Sequence, residues 1–292
     1  MAIEYKSRPW CATTESVKGA THIATGLPNQ DAIAVKQMPE GLIVAISDGH
    51  GSSRYVRSDV GARLAVDIAI QELSPLAIET RGRFTSGSEL ESRLTQVVVR
   101  KWDKAVTAHL ADFPLSADER GRSGVAVVDD HLCYGATLLA VVATGSFVIY
   151  LQLGDGDMIV VERSGNILRP IPKDPALIGN ETTSLCSPES WNSMRLIRRV
   201  TDSDNRDEHP VLILAATDGY ANCFKDESSF LKAAKDFHEL LSQPSGLSVV
   251  SKHLNEWLRD SSDNYSGDDI SLALLSRRGH SKNQGGSKGR AS

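Results

Sequence analysis

The stretch Leu42-Ile43-Val44-Ala45-Ile46-Ser47-Asp48-Gly49-His50-Gly51 joins an apolar run to an acid, a histidine and two glycines. A short apolar run bounded by turn residues predicts a buried β-strand, here over Leu42–Ile46. Two further apolar runs end in the same way, at Asp155 and Asp218, and a glycine follows each of these acids. Because a sheet brings the ends of its strands close together, the repeated pattern predicts several carboxylates gathered at one edge of a sheet.

The rest of the chain alternates amphipathic helices with apolar strands. Apolar side chains that recur every three to four residues predict helices. These helices run from Ser52 or Ser53 to about Leu73 and over Ser88–Leu110, Glu227–Leu241 and Leu247–Arg259. Short runs rich in Val, Ile and Leu predict strands. Besides Leu42–Ile46, these strands cover Leu138–Ala143, Phe147–Leu153, Met158–Glu162, Met194–Val200, Val211–Ala216 and Ile270–Leu275.

One uncharged segment, Gly135–Leu153, approaches the length of a membrane span. Thr144-Gly145-Ser146 interrupts it, and the β-branched and aromatic residues on both sides predict two paired strands with a turn and no membrane span. Such hairpins imply antiparallel sheet, whose outer faces the long helices must cover. The residues therefore predict an α+β fold with helices packed on a β-sandwich, and a doubly wound parallel sheet is the alternative.

The composition is that of a globular protein without affinity for nucleic acid. The chain has 292 residues, of which 40% are hydrophobic, and this predicts one large domain over residues 1–276. The formal net charge of -5 provides no positive field to attract nucleic acid. Four widely spaced cysteines without a C-x-x-C pair, and no apolar N-terminal stretch, predict reduced thiols and a cytoplasmic location.

Two segments depart from the alternation of helices and strands. Residues 164–194 contain four prolines and little periodicity, so we expect a long functional loop beside the site, named the flap below. Residues 277–292 are rich in Gly, Ser, Lys and Arg and contain no large apolar side chain, which predicts a disordered basic tail. A solvated tail is favoured over an arm that binds nucleic acid.

Each acid in the repeated pattern has a simple structural explanation, because Asp-Gly is a common turn pair after a strand. The set Asp31, Asp48, Asp155, Asp218 and Asp268, each next to an apolar run, instead favours a metal site. Clustered carboxylates repel one another, and a bound dication removes this conflict. Ligands that are all oxygen favour Mg²⁺ or Mn²⁺ over zinc.

A site of this kind predicts hydrolysis of a phosphate ester. Two metal ions that share a bridging water lower its pKa, and they neutralise the charge that develops on the phosphoryl group. Gly49 has no Cβ, so its backbone carbonyl can approach an ion closely. The leaving alkoxide then needs a general acid, for which His50 is the candidate. The alternative is a histidine that only shapes the turn after Asp48.

Six short motifs occur in order between His22 and Leu275. They are Pro28-Asn29-Gln30-Asp31-Ala32, Ser47-Asp48-Gly49-His50-Gly51, Gly135-Ala136-Thr137, Gly154-Asp155-Gly156, Ala216-Thr217-Asp218-Gly219 and Ser266-Gly267-Asp268-Asp269-Ile270-Ser271. This set resembles the metal-dependent protein phosphatase family, type 2C, in its bacterial branch. The resemblance implies a four-layer α/β/β/α sandwich of two antiparallel sheets and hydrolysis of phosphoserine and phosphothreonine in proteins. It also implies two, or with a third weaker site three, Mg²⁺ or Mn²⁺ ions, a phosphoprotein substrate and a Ser/Thr kinase partner.

The resemblance also implies roles for individual residues. Asp48 matches the ligand that bridges two metals, and the carbonyl of Gly49 matches a second ligand. Asp31 matches an acid that acts on one metal through water, while Asp218 and Asp268 match the ligands of the other. The remaining matches are Asp155 with the acid that supports the third ion and His50 with the general acid.

Two positions depart from the family pattern. Gln30 stands where many relatives have glutamate, which removes a negative charge beside the metals. Gly26 stands where many relatives have an arginine that grips the phosphate, so Arg54 or His22 becomes the candidate for that role.

Two other functions compete with the phosphoprotein phosphatase. One is a non-catalytic phosphoprotein-binding module on the same fold, which would be expected to have lost the metal-binding aspartates. The other is hydrolysis of a small phosphomonoester by the same site. A nucleotide-binding protein is disfavoured because neither G-x-G-x-x-G after a strand nor G-x-x-x-x-G-K occurs.

Overall fold

The structure is a computed structural model that describes residues 9–78, 87–124, 127–173, 182–201 and 206–277. Its ten strands are β1 (Trp10–Val17), β2 (Ala32–Gln37), β3 (Gly41–Ser47), β4 (Leu138–Thr144), β5 (Phe147–Leu153), β6 (Asp157–Glu162), β7 (Ile167–Leu168), β8 (Arg195–Val200), β9 (Pro210–Ala216) and β10 (Ile270–Arg277). Its α-helices are α1 (Ala20–Thr25), α2 (Ser58–Ile78), α3 (Gly87–Asp112), α4 (Ala117–Ser123), α5 (Asp218–Ala221), α6 (Glu227–Leu241) and α7 (Gly246–Ser261). Short 3₁₀ segments lie at Val127–Tyr134, Ser190–Asn192 and Arg206–Glu208, and a π-turn lies at Ser262–Ser266.

The strands form two five-stranded sheets. Sheet I has the order β1-β10-β9-β6-β7, and sheet II has the order β2-β3-β4-β5-β8. Every neighbouring pair is antiparallel. The doubly wound parallel alternative is therefore wrong, and the antiparallel sandwich is confirmed.

Three apolar cores divide the molecule into four layers. The central core lies between the sheets, where Val44 and Val141 of sheet II pack with Ile213 and Ala273 of sheet I. A second core joins the outer face of sheet II to α2 and α3, and a third joins the outer face of sheet I to α6 and α7. Because each sheet has an apolar residue set on both faces, neither face can be left to water. The α/β/β/α sandwich expected from the family resemblance is confirmed.

Most predicted elements lie within two residues of their observed bounds, and α6 matches at both ends. The start of α2 is wrong, because the helix begins at Ser58 and not at Ser52 or Ser53. The backbone N–H of Arg57 donates to Cys133 O at 2.8 Å, and the Arg57 side chain forms an ion pair with Glu119 at 2.7 Å. These contacts hold the preceding residues in turns, which keeps them beside the site.

Strand β1 was not predicted. Its sequence mixes Trp10 and Val17 with Thr and Glu, so it shows no apolar run. Its stability comes from pairing with β10 along its whole length, from Trp10 opposite Arg277 to Val17 opposite Ile270. Propensity alone gives little sign of a strand whose partner lies at the other end of the chain.

The uncharged segment Gly135–Leu153 contains β4 and β5, which pair as the predicted hairpin. No helix among the described residues is long and apolar enough to cross a membrane. All four cysteines are free thiols, as their spacing predicted.

The two atypical segments are only partly described. In the flap, β7 pairs with β6, and residues 174–181 lie outside the described residues. Strand β10 continues to Arg277, so the boundary after residue 276 falls inside a strand. The remainder of the predicted tail, residues 278–292, also lies outside the described part of the chain.

Candidate active site

Strand ends from both sheets meet at one edge of the sandwich. In sheet II, the end of β3 lies beside the start of β4, and β4 begins opposite the end of β5. In sheet I, the end of β9 lies between the starts of β6 and β10. The acids that follow or precede these strand ends are thereby brought together, as the repeated strand–acid–glycine pattern predicted.

A cleft of about 690 Å³ opens at this edge. Its acidic lining consists of Asp48, Asp155, Asp218, Asp268 and Asp269. The other lining residues that the structure describes are Gln30, Gly49, His50, Gly51, Ser52, Tyr55, Thr137, Thr182, Ser184 and Ser187. Within the described ranges, the lining contains neither Lys nor Arg, so no side-chain cation there balances the carboxylates.

Asp218 lies at the electrostatic centre of the cleft. Burial raises the pKa of Asp155 and of Asp268, and the charge of Asp218 is the next cause in both cases. Burial also raises the pKa of Asp48 well above its usual range, followed by the charges of Asp31 and Asp218. Asp48, Asp155 and Asp268 therefore all interact with Asp218, and the ionised form of each of these three acids is disfavoured.

Hydrogen bonds between its backbone and Thr137 hold Asp48 in place. Its N–H donates to Thr137 Oγ1 at 3.1 Å, and its carbonyl accepts from the N–H of Thr137 at 2.8 Å. The next residue, Gly49, donates its N–H to Gln30 O at 3.2 Å. A Cβ on Gly49 would lie 2.6 Å from Gln30 O and 2.7 Å from Ser58 O. Close backbone packing therefore requires glycine here, in addition to any approach of the carbonyl to an ion.

Asp31 lies behind the cleft and does not line it. Thr217 Oγ1 donates to Asp31 Oδ2 at 2.8 Å and accepts from the N–H of Ser271 at 3.0 Å. The hydroxyl thus joins the end of β9 to the start of β2 in the other sheet. Burial raises the pKa of Asp31 well above its usual range, and the charge of Asp269 adds to this effect.

The two adjacent acids Asp268 and Asp269 have different environments. Asp269 is buried, and its carboxylate accepts from the N–H groups of Gly19 at 2.7 Å and Gln30 at 2.6 Å. Its Oδ2 also lies 2.9 Å from Nδ1 of His22. Asp268 is exposed at the cleft, although the atoms around its carboxyl still remove enough solvent to raise its pKa. Its Oδ1 accepts the N–H of Asp269 at 2.9 Å. Both acids line the cleft, and the carboxylate of Asp269 also joins α1, β2 and β10.

His50 packs in the wall of the cleft. Its ring lies edge-on to Tyr55 with the ring centroids 4.7 Å apart, and its backbone N–H donates to Gly135 O at 3.1 Å. Burial lowers the pKa of His50 to about 4, although the charge of Asp218 acts in the opposite direction. In this structure the neutral imidazole therefore predominates at pH 7, which weighs against a standing proton donor.

The cleft has the donor chemistry of a cation site. Its acids are oxygen ligands whose mutual repulsion a dication would relieve. No group of three or more His, Cys, Asp or Glu side chains is arranged to hold a single ion in the part of the chain that the structure describes. The acids thus share one cleft and interact pairwise, and they do not form a finished ligand cage.

Residues 18–259 match the family model described as Protein phosphatase 2C. The chain belongs to the protein phosphatase 2C family. It is therefore a hydrolase of the protein-serine/threonine phosphatase class, and the predicted family is confirmed. A comparison with curated protein sequences found no match.

Solved structures of phosphatases share the fold of this phosphatase at low identity. A bacterial serine phosphatase is 14% identical, with a TM-score of 0.57 over 92% of this chain and 98% of the other. The phosphatase Stp1 from Staphylococcus aureus is 14% identical, with a TM-score of 0.55 over 92% and 95% of the two chains. The catalytic domain of the phosphatase PstP, in complex with two manganese ions, is 18% identical, with a TM-score of 0.53 over 91% and 97%.

The two candidate phosphate-binding residues of the phosphatase lie outside the lining of the cleft. His22 is 8% exposed, and its Nδ1 is directed to Asp269. Arg54 is exposed and does not line the cleft. Gly26 ends α1 with a φ of 72°, a left-handed conformation that disfavours arginine at this position.

Several residues of the site carried no role in the sequence-based prediction. Thr217 fixes Asp31, Thr137 fixes Asp48, and Asp269 joins three elements. The threonines stand inside the recognised motifs, so their position next to an acid was the available signal. Tyr55 carried no such signal, because its contact with His50 depends on the turns that precede α2.

Replacing Gly135 with alanine is expected to impair catalysis by moving His50. A Cβ at this position would lie 2.6 Å from the ring of Tyr55 and 2.7 Å from the ring of His50. We expect turnover of a phosphoserine peptide to fall by about tenfold or more, as when catalytic groups are misplaced. The matched control is Gly121→Ala in α4, where no atom lies within 4 Å of the added Cβ. Equal activity of both variants would contradict the assigned packing of His50.

Proposed function

We propose that this phosphatase is metal-dependent and hydrolyses phosphoserine and phosphothreonine in proteins with the help of Mg²⁺ or Mn²⁺. The observation that carries the proposal is the cleft itself. Asp48, Asp155, Asp218 and Asp268 line it from several strand ends, and no Lys or Arg lines it within the described residues. A site of this composition suits a cationic cofactor better than an uncharged ligand.

In this proposal, different aspartates would bind each of two ions. Asp48, as the residue shared by both ions, and the carbonyl of Gly49 would hold them together with Asp218 and Asp268, and Asp31 would act from behind the cleft. Asp155 would support a third, weaker ion. When bound, the ions supply Lewis acidity and lower the pKa of bound water to near neutrality.

The remaining groups of the cleft position the substrate and handle its proton. We assign His50 to the leaving serine or threonine oxygen, to which its protonated form would donate a proton. Ser52 and Tyr55 lie in the same lining and can offer hydroxyl groups to the phosphate oxygens, whereas the hydroxyl of Thr182 already bonds to Asp155. With Arg54 and His22 outside the lining, phosphate binding falls mainly to the cofactor and to these hydroxyls.

The test of the proposal is metal dependence of hydrolysis. Nitrophenyl phosphate should be hydrolysed with Mn²⁺ or Mg²⁺, and excess chelator should stop the reaction until metal is restored. Thermal unfolding followed in parallel should show a higher Tm with Mn²⁺, because a ligand that binds only the folded state stabilises it. Full turnover after chelation, or no effect of Mn²⁺ on both readouts, would refute a metal mechanism.

The substrate class is tested separately. We expect phosphoserine and phosphothreonine peptides to be hydrolysed with higher kcat/KM than a panel of metabolite phosphates, which would exclude the small-molecule alternative. Binding of phosphopeptides without turnover would indicate the non-catalytic module. A Ser/Thr kinase that phosphorylates the same substrates is the proposed partner, and the cytoplasm is the proposed location.

A further inference from the structure

A second cavity of about 290 Å³ lies between α3 and the end of the flap. Val99, Trp102 and Leu185 are buried side chains that form its floor. The half-buried Cys186 and Trp191 also line it, and both pack against the core around α2 and α3. The proposed catalytic mechanism uses none of these residues.

This flap cavity adjoins the catalytic cleft. Ser187 lines both spaces, and Ser184, three residues earlier, lines the cleft. The flap is fixed at this junction, because the N–H of Leu185 donates to Ala136 O at 2.9 Å and Ser184 Oγ accepts from Ala136 N at 3.1 Å. The two spaces therefore adjoin at Ser187.

Several polar groups of the flap cavity already have partners, and the charged side chains Arg100 and Glu189 lie at its exposed edge. Nδ1 of His131 lies 2.7 Å from Asp103 Oδ1, and Nε2 lies 3.3 Å from Thr107 Oγ1. Nε1 of Trp102 donates to Gly61 O at 3.0 Å, which leaves the indole with no free donor. Away from this charged edge, an apolar side chain would bury surface against Val99, Trp102 and Leu185, where no polar group needs a new partner.

We propose that the flap cavity is a substrate subsite that binds one large apolar side chain of the phosphoprotein, within a few residues of the phosphorylated serine or threonine. The proposal rests on the proposed phosphatase function. The volume of the flap cavity suits a single Leu, Met or Phe side chain. An extended chain advances about 3.3 Å per residue, so a few residues of the substrate can span the distance from the catalytic cleft to the adjoining flap cavity. The subsite would give the enzyme a sequence preference that the polar cleft alone does not provide.

The test uses phosphoserine peptides of Gly and Ser that carry a single leucine at each position within four residues of the phosphoserine. With the full chain and Mn²⁺, we expect one or two adjacent positions to lower KM by about tenfold, equivalent to 1.4 kcal/mol, while kcat is unchanged. Nitrophenyl phosphate, which cannot reach the flap cavity, reports the catalytic cleft by itself. A flat KM profile with normal nitrophenyl phosphate turnover would overturn the subsite and leave the phosphatase function intact.

Two variants test whether the preference arises in the flap cavity. Trp191→Ala removes one wall, and Cys186→Phe fills the space, so both should abolish the leucine preference while nitrophenyl phosphate turnover stays normal. Trp257→Ala is the matched control, because Trp257 is a half-buried tryptophan of α7 on the opposite outer layer. Preference retained in both variants would overturn the subsite. Absence of nitrophenyl phosphate turnover in the unchanged enzyme would instead overturn the phosphatase function and, with it, this inference.

Discussion

Replacing Asp218 with asparagine is expected to lower turnover by on the order of a hundredfold or more, as for loss of a dominant electrostatic group. The change keeps the shape of the side chain and removes the charge that acts on Asp48, Asp155 and Asp268. An amide is a poorer ligand than a carboxylate, so the rise in Tm caused by Mn²⁺ should also shrink. The measurements are turnover of nitrophenyl phosphate at increasing Mn²⁺ and thermal unfolding with and without the ion.

The metal-free Asp218→Asn protein should unfold at a temperature equal to or above that of the unchanged protein, because repulsion among the remaining carboxylates falls. This expectation separates loss of function from loss of folding. Asp263→Asn is the matched control, since Asp263 is exposed, lies near Asp268 in sequence and does not line the cleft. Near-normal turnover of Asp218→Asn would refute its assignment as a metal ligand, as would an equal effect of Asp263→Asn.

The second large effect is expected for His50→Gln, and it should depend on the leaving group. A serine alkoxide is a poor leaving group and needs a proton, whereas nitrophenolate leaves without one. If His50 donates that proton, turnover of a phosphoserine peptide should fall by roughly 10²–10⁴-fold, and turnover of nitrophenyl phosphate should fall far less. Both rates are measured at saturating Mn²⁺, and the affinity for Mn²⁺ is measured separately.

The pKa of about 4 for His50 also gives a physical reason to expect equal losses on both substrates. A histidine that is neutral at pH 7 and only shapes the wall of the cleft would produce equal losses on both substrates. Equal losses, or weaker binding of Mn²⁺, would make His50 a positioning residue. His253→Gln is the control, because His253 lies on α7 outside the cleft lining and should leave both rates unchanged.

The sequence determined the elements whose signal is local. Strand β3, the β4–β5 hairpin and helix α6 were predicted from apolar runs, turn residues and helical periodicity, because each of these depends on near neighbours along the chain. The strand–acid–glycine pattern placed Asp48, Asp155 and Asp218 at strand ends for the same reason. Their order along the chain also identified the family, which the match over residues 18–259 confirmed.

Tertiary structure decided which of these residues face the same space. Two neighbouring acids, Asp268 and Asp269, are equivalent in sequence and both line the cleft, yet the carboxylate of Asp269 also bonds to Gly19, Gln30 and His22 from distant segments. The late start of α2 and the pairing of β1 with β10 likewise depend on contacts between residues far apart in the chain. Burial and the charges of distant groups, which set the pKa values of His50 and Asp48, exist only after the two sheets have packed together.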